Sequence, residues 1–526
     1  MPENQSVTPV HERPRALPSQ LTTHAPIEIV MNSEFGALGF PGNGSESNPF
    51  RIEELEIVGS EFVGCITIGG SVTAYYEIRD CRLSNSSAAA AIQLVAGHGL
   101  IDACEIHDCT IGVSLGGGVQ RIESAEIYNC SLGIHATVGF EMDLSEIHDC
   151  ENCVNTLQAD DIVVHNCVFS DNGQLGFDEA TGLILTGNTF NATGVWIGNS
   201  VGLTVTDNTF RVEQTLDQLS ITYSQSGTVN NNVFTINALA GLRLQGSTDL
   251  IIANCQFTAP NPGGSLGIDS RGFEGMSDIT IEDCTFENVG CHAGFCETGL
   301  VVTRCALSEG GILVLDSPGA EVTSNSITWG SIDVSDSCQD SLIFNNTLTH
   351  CMDHGIRVLE NNTGIVVSSN YMRGAMTSLR YGISIESNDV VARYNEIENF
   401  DAGIHISEAN SSDIYNNTVH GNNIGIQLAE GCSFNHLYYN ILYDNAQNAK
   451  DDGSDNVWDD GIMLGNYWSN VAVPGEYRIP GTAESVDRYA QPYSTGLAIP
   501  LEVLVAITVC GVFGVLAAVV VRMKRT

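Results

Sequence analysis

The chain has 526 residues, with 20 Lys and Arg against 63 Asp and Glu, a formal net charge of −43. That balance leaves no basic stripe for phosphates, so no nucleic-acid partner is expected. With 43% apolar and only 16% charged residues the chain can build a core, which excludes a disordered protein.

Residues 1–24 form a polar tail without the apolar run of a signal peptide. Residues 25–74 follow as an N-terminal cap with the first coils. Residues 75–445 then carry one internal repeat. A small residue stands at Cys81, Cys104, Ala125, Ser145, Cys167, Asn188, Asn208, Asn232, Cys255, Cys284, Cys305, Asn325, Asn346, Asn370, Asn395, Asn417 and Asn440, at spacings of 20 to 29 residues. Two residues after it every copy is apolar, from Leu83 to Leu442. Three residues before it every copy is again apolar, from Ile78 to Leu437.

Along one straight strand, positions two apart share a face and positions three apart do not. For all three positions to face inward the chain must bend sharply before the small residue. A further short strand often follows a glycine, as in Gly241-Leu242-Arg243-Leu244 and Gly403-Ile404-His405-Ile406. Three strands and three turns in about 22 residues describe one coil of a parallel β-helix, an all-β solenoid. At about 4.8 Å per step, seventeen coils would run to about 77 Å. Inward asparagines should form a hydrogen-bonded ladder, and Phe169 to Phe286 an aromatic stack.

Of the seventeen cysteines, six lie in the small-residue column. Four more, Cys109, Cys130, Cys150 and Cys351, share a turn column five residues later. They read as small buried hydrophobes. Cys291-His292 with Cys296, and His350-Cys351 with His354, come nearest to metal motifs, but neither has zinc-site spacing. No cofactor is expected. Calcium at exposed turn acids such as Asp108, Asp149 and Asp171 has one residue per coil and no supporting pattern.

Residues 446–493 read as a C-terminal cap and 494–502 as a short linker. Residues 503–521 hold no charge, and Arg522, Lys524 and Arg525 follow in the tail 522–526. At about 1.5 Å per residue those nineteen positions span about 28 Å, against roughly 30 Å of bilayer core. A transmembrane anchor is therefore expected, with the basic tail in the cytoplasm and the large domain outside. A tail-anchored form with the domain in the cytosol is the alternative.

The opening stretch Gly39-Phe40-Pro41-Gly42-Asn43-Gly44 with Asn48-Pro49-Phe50-Arg51-Ile52-Glu53 resembles right-handed parallel β-helix repeat proteins. So does the closing stretch Gly465-Asn466-Tyr467-Trp468 with Tyr477-Arg478-Ile479-Pro480-Gly481 and Ser485-Val486-Asp487. Within them the chain is similar to the NosD-like archaeal surface proteins. The resemblance covers about residues 25–493 and implies a right-handed coil and a surface associated with carbohydrate. That family's namesake is linked to copper delivery, but no histidine pattern here carries the role over. His107 and His148 occupy one column two coils apart and read as solvated.

The candidate ligand-binding residues lie in an outer column at the middle of the third strand. It contains Trp196, Arg243, Arg357 and His405, with Asp353 and His354 just before Arg357. An outward Trp with spaced Arg and His suits sugar faces and anionic groups. The competing reading is an ordinary solvated sheet face. No catalytic residue is assigned. The expected function is a membrane-anchored, cell-surface β-helix for glycan binding or adhesion. The alternative is an anchored polysaccharide lyase or epimerase, with its site at Asp353, His354 and Arg357.

Overall fold

Each repeat forms three short strands, exemplified by Ile184–Thr186, Thr189–Asn191 and Gly194–Gly198. Successive copies pair in parallel and in register, so Leu185 lies on Val205, Phe190 on Phe210 and Trp196 on Ser220. The result is an all-β parallel solenoid built on three sheets. The computed structural model describes residues 16–87, 89–212, 217–237, 239–261, 265–270, 275–375 and 380–493. The chain forms two compact units, Met1–Ser317 and Pro318–Thr526. The expected anchor 503–521, the linker 494–502 and the tail 522–526 lie outside the described residues. Among the described residues no helix is long and apolar enough to cross a membrane.

The bend demanded by the inward columns is a left-handed backbone position. The residue preceding the small position has positive φ in all seventeen repeats, from Asp80 through Leu144, Arg304 and Tyr394 to Tyr439. Only Gly187 among them is a glycine. A left-handed conformation costs an ordinary side chain roughly 1–2 kcal/mol, so stacking between coils must enforce it. The glycine at the second position of the third strand has a different cause. A Cβ on Gly355, Gly382 or Gly403 would lie 2.5 to 2.8 Å from the carbonyl oxygen of the glycine one coil on.

In the first unit six phenylalanine rings, Phe169, Phe190, Phe210, Phe234, Phe257 and Phe286, stack with centroids 4.6 to 5.2 Å apart. All six are buried. In the second unit the side-chain ladder runs Asn346, Asn370, Asn395, Asn417 and Asn440. Each Nδ2 donates to the next Oδ1 at 3.0 Å. It extends one rung past the repeats read from the sequence, to Asn466, and ends on Asp487 Oδ2, which accepts the Asn466 N–H at 2.8 Å.

Cysteines occupy the same place with half the function. Cys104 Sγ donates to the Ile78 carbonyl one coil back at 3.3 Å, as Asn188 Nδ2 does to Val164 at 2.9 Å. A thiol is a poor acceptor in return. The sixteen described cysteines are buried and unbridged. Burial pushes the Cys167 thiol up to about 12.

The first unit is plugged at its N-terminal end and the second at its C-terminal end. At the N-terminus the six-residue helix Asn32–Ala37 inserts Phe35, whose ring stacks on Phe50 at 4.6 Å. At the C-terminus Trp458 and Trp468 are fully buried. Their indole N–H groups donate to Asp451 at 2.9 Å and Asp487 at 2.8 Å. These acids are the end caps' hydrogen-bond acceptors, consistent with the need to satisfy buried donors.

Candidate functional site

The outer column is continuous within each unit. In the second unit it reads Asp333, Arg357, Ser384, His405, Gln427 and Lys450 on successive coils. His354 opens the strand His354–Val358 and pairs with Tyr381 on the next coil. The structure therefore gathers Asp353, His354, Arg357 and His405 on one face. It adds Asp333, Arg380, Tyr381 and Glu386, which the sequence reading did not single out.

The contacts form alternating charges. His354 Nε2 lies 2.7 Å from Asp333 Oδ1, and its Nδ1 lies 3.3 Å from Asp353 Oδ2. Ser331 Oγ donates to Asp333 Oδ2 at 2.8 Å. Arg380 Nε approaches Asp353 Oδ1 at 3.4 Å, and Arg357 Nε donates to Glu386 Oε1 at 3.1 Å. Burial favours a neutral His354, but the hydrogen bond and charge of Asp333 outweigh it and raise its pKa above 6.5. Burial likewise opposes ionisation of Asp333, yet His354 holds that carboxyl below its ordinary value.

His405 departs from the outward placement expected for it. It is only 8% exposed, because the Tyr381 ring lies flat against it with centroids 3.9 Å apart. Its Nδ1 is buried without a hydrogen-bond partner among the described residues. Burial lowers its pKa, against the pull of Glu386. The face thus holds two imidazoles pushed in opposite directions, one toward the cation and one toward the neutral base.

Trp196 and Arg243 belong to the first unit. Trp196 is half-buried over Gly198 and donates its indole N–H to Thr222 Oγ1 at 3.0 Å. Arg243 Nη1 pairs with Asp217 Oδ2 at 3.3 Å. Ser220 separates them in the column.

A second cluster in the first unit escaped the sequence reading. His107 and His148 are not freely solvated; they sandwich Tyr128 with ring centroids 4.9 and 5.0 Å apart. Tyr128 donates its hydroxyl to Glu105 Oε1 at 2.7 Å. Asp108 and Asp149, weighed above as calcium ligands, direct Oδ2 to the preceding histidines at 2.7 and 2.8 Å. The signal was present as three aromatic residues three positions past the small column on successive coils. Beside this cluster runs a groove of about 950 Å³ lined by Glu54, Glu56, Arg82, Glu105, Glu126 and the segment 16–22.

The adjacent acids Asp451-Asp452 and Asp459-Asp460 in the C-terminal cap serve the fold. Asp451 is fully buried and also accepts from Ser485, while Asp459 accepts from Arg488 Nε at 2.8 Å. Among the described residues no group of three or more His, Cys, Asp and Glu is placed to hold a metal ion.

Among solved structures the chain matches the periplasmic alginate epimerase AlgG at 10% identity and TM-score 0.26, over 84% of this chain and 78% of that one. A mutant of the PL6 family alginate lyase AlyGC matches at 8% identity and TM-score 0.32 over 90% and 96%. The A-module of the Azotobacter vinelandii mannuronan C-5 epimerase AlgE6 matches at 12% and 0.17 over 73% and 90%. No curated protein matches the sequence. Residues 300–472 match the family described as periplasmic copper-binding protein (NosD). The described residues of that stretch do not fit a copper site, since no three of its His, Cys, Asp and Glu side chains are gathered to hold a metal ion. Residues 65–216 and 217–377 match the right-handed β-helix region. The chain therefore belongs to the right-handed β-helix family and carries a NosD family domain in its C-terminal part.

Proposed function

We propose that this chain is a membrane-anchored surface protein that binds glycan along the outer face of its second unit. The observation that carries the reading is the juxtaposition of Arg357, Arg380 and the Asp333–His354 pair with the Tyr381–His405 stack. Guanidinium groups and carboxylates offer paired hydrogen bonds to vicinal hydroxyls or to an acidic sugar, and ring faces offer an apolar surface to a pyranose. The anchor is the apolar stretch 503–521, with the solenoid on the outside and the basic tail within. The test is a glycan array with the full chain, repeated with Arg357→Ala and Tyr381→Ala. Selective binding that both variants weaken supports the reading, and binding unaffected by either removes this face. Protease treatment of intact cells tests the topology, and full protection of the solenoid would refute it.

A second reading rests on His405. A buried imidazole held neutral, with Nδ1 free of hydrogen bonds, is suited to take a proton from a carbon acidified by a neighbouring carboxylate. That is the chemistry of a polysaccharide lyase or epimerase. Incubation with polyuronates would reveal it through ultraviolet-absorbing unsaturated ends or changed sugar configuration. His405→Gln should abolish either product.

A further inference from the structure

The C-terminal cap has a feature that its packing does not require. Between Asp459 and Gly465, which form an isolated antiparallel bridge, the chain makes a tight loop. Asp460 Oδ1 accepts three successive backbone N–H groups, from Ile462 and Met463 at 2.8 Å and Leu464 at 2.9 Å. Asp460 Oδ2 accepts the Tyr439 hydroxyl at 2.8 Å. The next acid back, Asp459, accepts from Gly461 N–H and Arg488. So much hydrogen bonding fixes a loop whose tip is apolar and turned outward. Ile462 is 73% exposed and Met463 63%. Val473, in the following loop of the same final coil, is 71% exposed. A rigid loop that holds large apolar groups in solvent is a contact surface awaiting a partner.

Chain length indicates which partner. The last described residue, Tyr493, follows the closing strand Val486–Pro492 of this same coil. Nine residues, 494–502, separate it from the apolar stretch 503–521. Fully extended, they reach about 30 Å. If 503–521 spans a bilayer, this cap is the part of the solenoid tethered nearest to the lipid.

We propose that the Ile462–Met463 tip and Val473 form a lipid-contacting surface that seats the C-terminal cap in the membrane interface. The inference rests on the anchor reading above. Apolar tips of this kind enter the headgroup boundary by about 5–10 Å. The exposed acids Asp455, Glu476 and Glu484 around the cap oppose an anionic leaflet, so the surface fits a zwitterionic one.

The test uses the full chain with Cys510→Ala, because the sixteen described cysteines are buried. A single Ile462→Cys or Val473→Cys is labelled with an environment-sensitive thiol dye, and the chain is reconstituted into phosphatidylcholine vesicles. Both labels should shift to shorter wavelength and be quenched by nitroxide-bearing lipid. A label at Met352→Cys, exposed several coils earlier, should do neither. Asp460→Ala, which frees the loop, should reduce quenching at position 462 and spare position 473. Alkaline carbonate extraction separates the two readings. Labels that stay aqueous on a chain that carbonate leaves in the vesicles overturn the lipid contact alone. Release of the chain with aqueous labels overturns both. Shielding that needs no vesicles and grows with protein concentration assigns the tip to a second copy and overturns the lipid contact.

Discussion

Replacing Asn395 with alanine should weaken the second unit by about 4 kcal/mol, taking four hydrogen bonds at roughly 1 kcal/mol each. The four are explicit. Asn395 Nδ2 donates to Val367 O at 2.9 Å and to Asn417 Oδ1 at 3.0 Å. Its Oδ1 accepts the Asn370 N–H at 2.9 Å and Asn370 Nδ2 at 3.0 Å. Alanine leaves the Asn370 N–H buried without its acceptor, while Asn417 Oδ1 keeps the Asn395 N–H. Cysteine should cost less than alanine, since the thiol can still reach the carbonyl one coil back as Cys104 does. Aspartate should cost more, because it sets a carboxylate against two acceptors. Solenoids do not unfold in one step, so urea denaturation should be read together with hydrogen exchange over residues 366–420. The reasoning fails if Asn395→Ala lies within about 1 kcal/mol of the parent with exchange unchanged.

Phe234→Ala, which removes the ring between Phe210 and Phe257, should cost about 3–5 kcal/mol in a denaturant titration of the full chain. Leu144→Gly should stabilise by about 1 kcal/mol, since φ there is +49° and glycine pays no Cβ penalty. Asp460 is held at about 2, chiefly because three backbone N–H bonds overcome its desolvation. Its contribution is present above the ordinary value of 3.8 and is lost as pH falls toward 2, so exchange at residues 461–464 should rise over that interval and Asp460→Asn should remove the dependence. His354, raised above 6.5, stabilises most below that value and less as pH rises through its folded pKa; an NMR titration should show the raised value fall in Asp333→Asn.

The sequence made the coil legible because three columns repeat with strict apolar or small character, and burial enforces that character at Cys104, Ile106 and Ile101 alike. It did not reveal the left-handed column, where Leu144, Arg304 and Tyr394 stand beside asparagines. There the coil above and below imposes the backbone, and the side chain only tolerates it. The candidate face was half legible. Asp353, His354 and Arg357 are adjacent in sequence, whereas Asp333, Tyr381 and Glu386 join them only through the parallel register. The burial of His405 was invisible because it depends on one ring, Tyr381, contributed by the preceding coil. The His107–Tyr128–His148 sandwich hid for the same reason: no two of its members lie within one repeat.

The ladder that ends on Asp487 has a direction. Between rungs every Oδ1 accepts from the coil before and every Nδ2 donates to the coil after, so the side-chain dipoles add as peptide dipoles do in a helix, with the positive end at the final coil. A carboxylate terminates that end, receiving the Asn466 N–H and the Trp468 indole N–H. Burial pushes its pKa up, and those donors pull the other way. An anion there has no hydrogen to pass forward. The same residue that completes the last rung thus denies a foreign coil the donor it would need to continue the stack, and the solenoid resists end-to-end polymerisation at its C-terminal end.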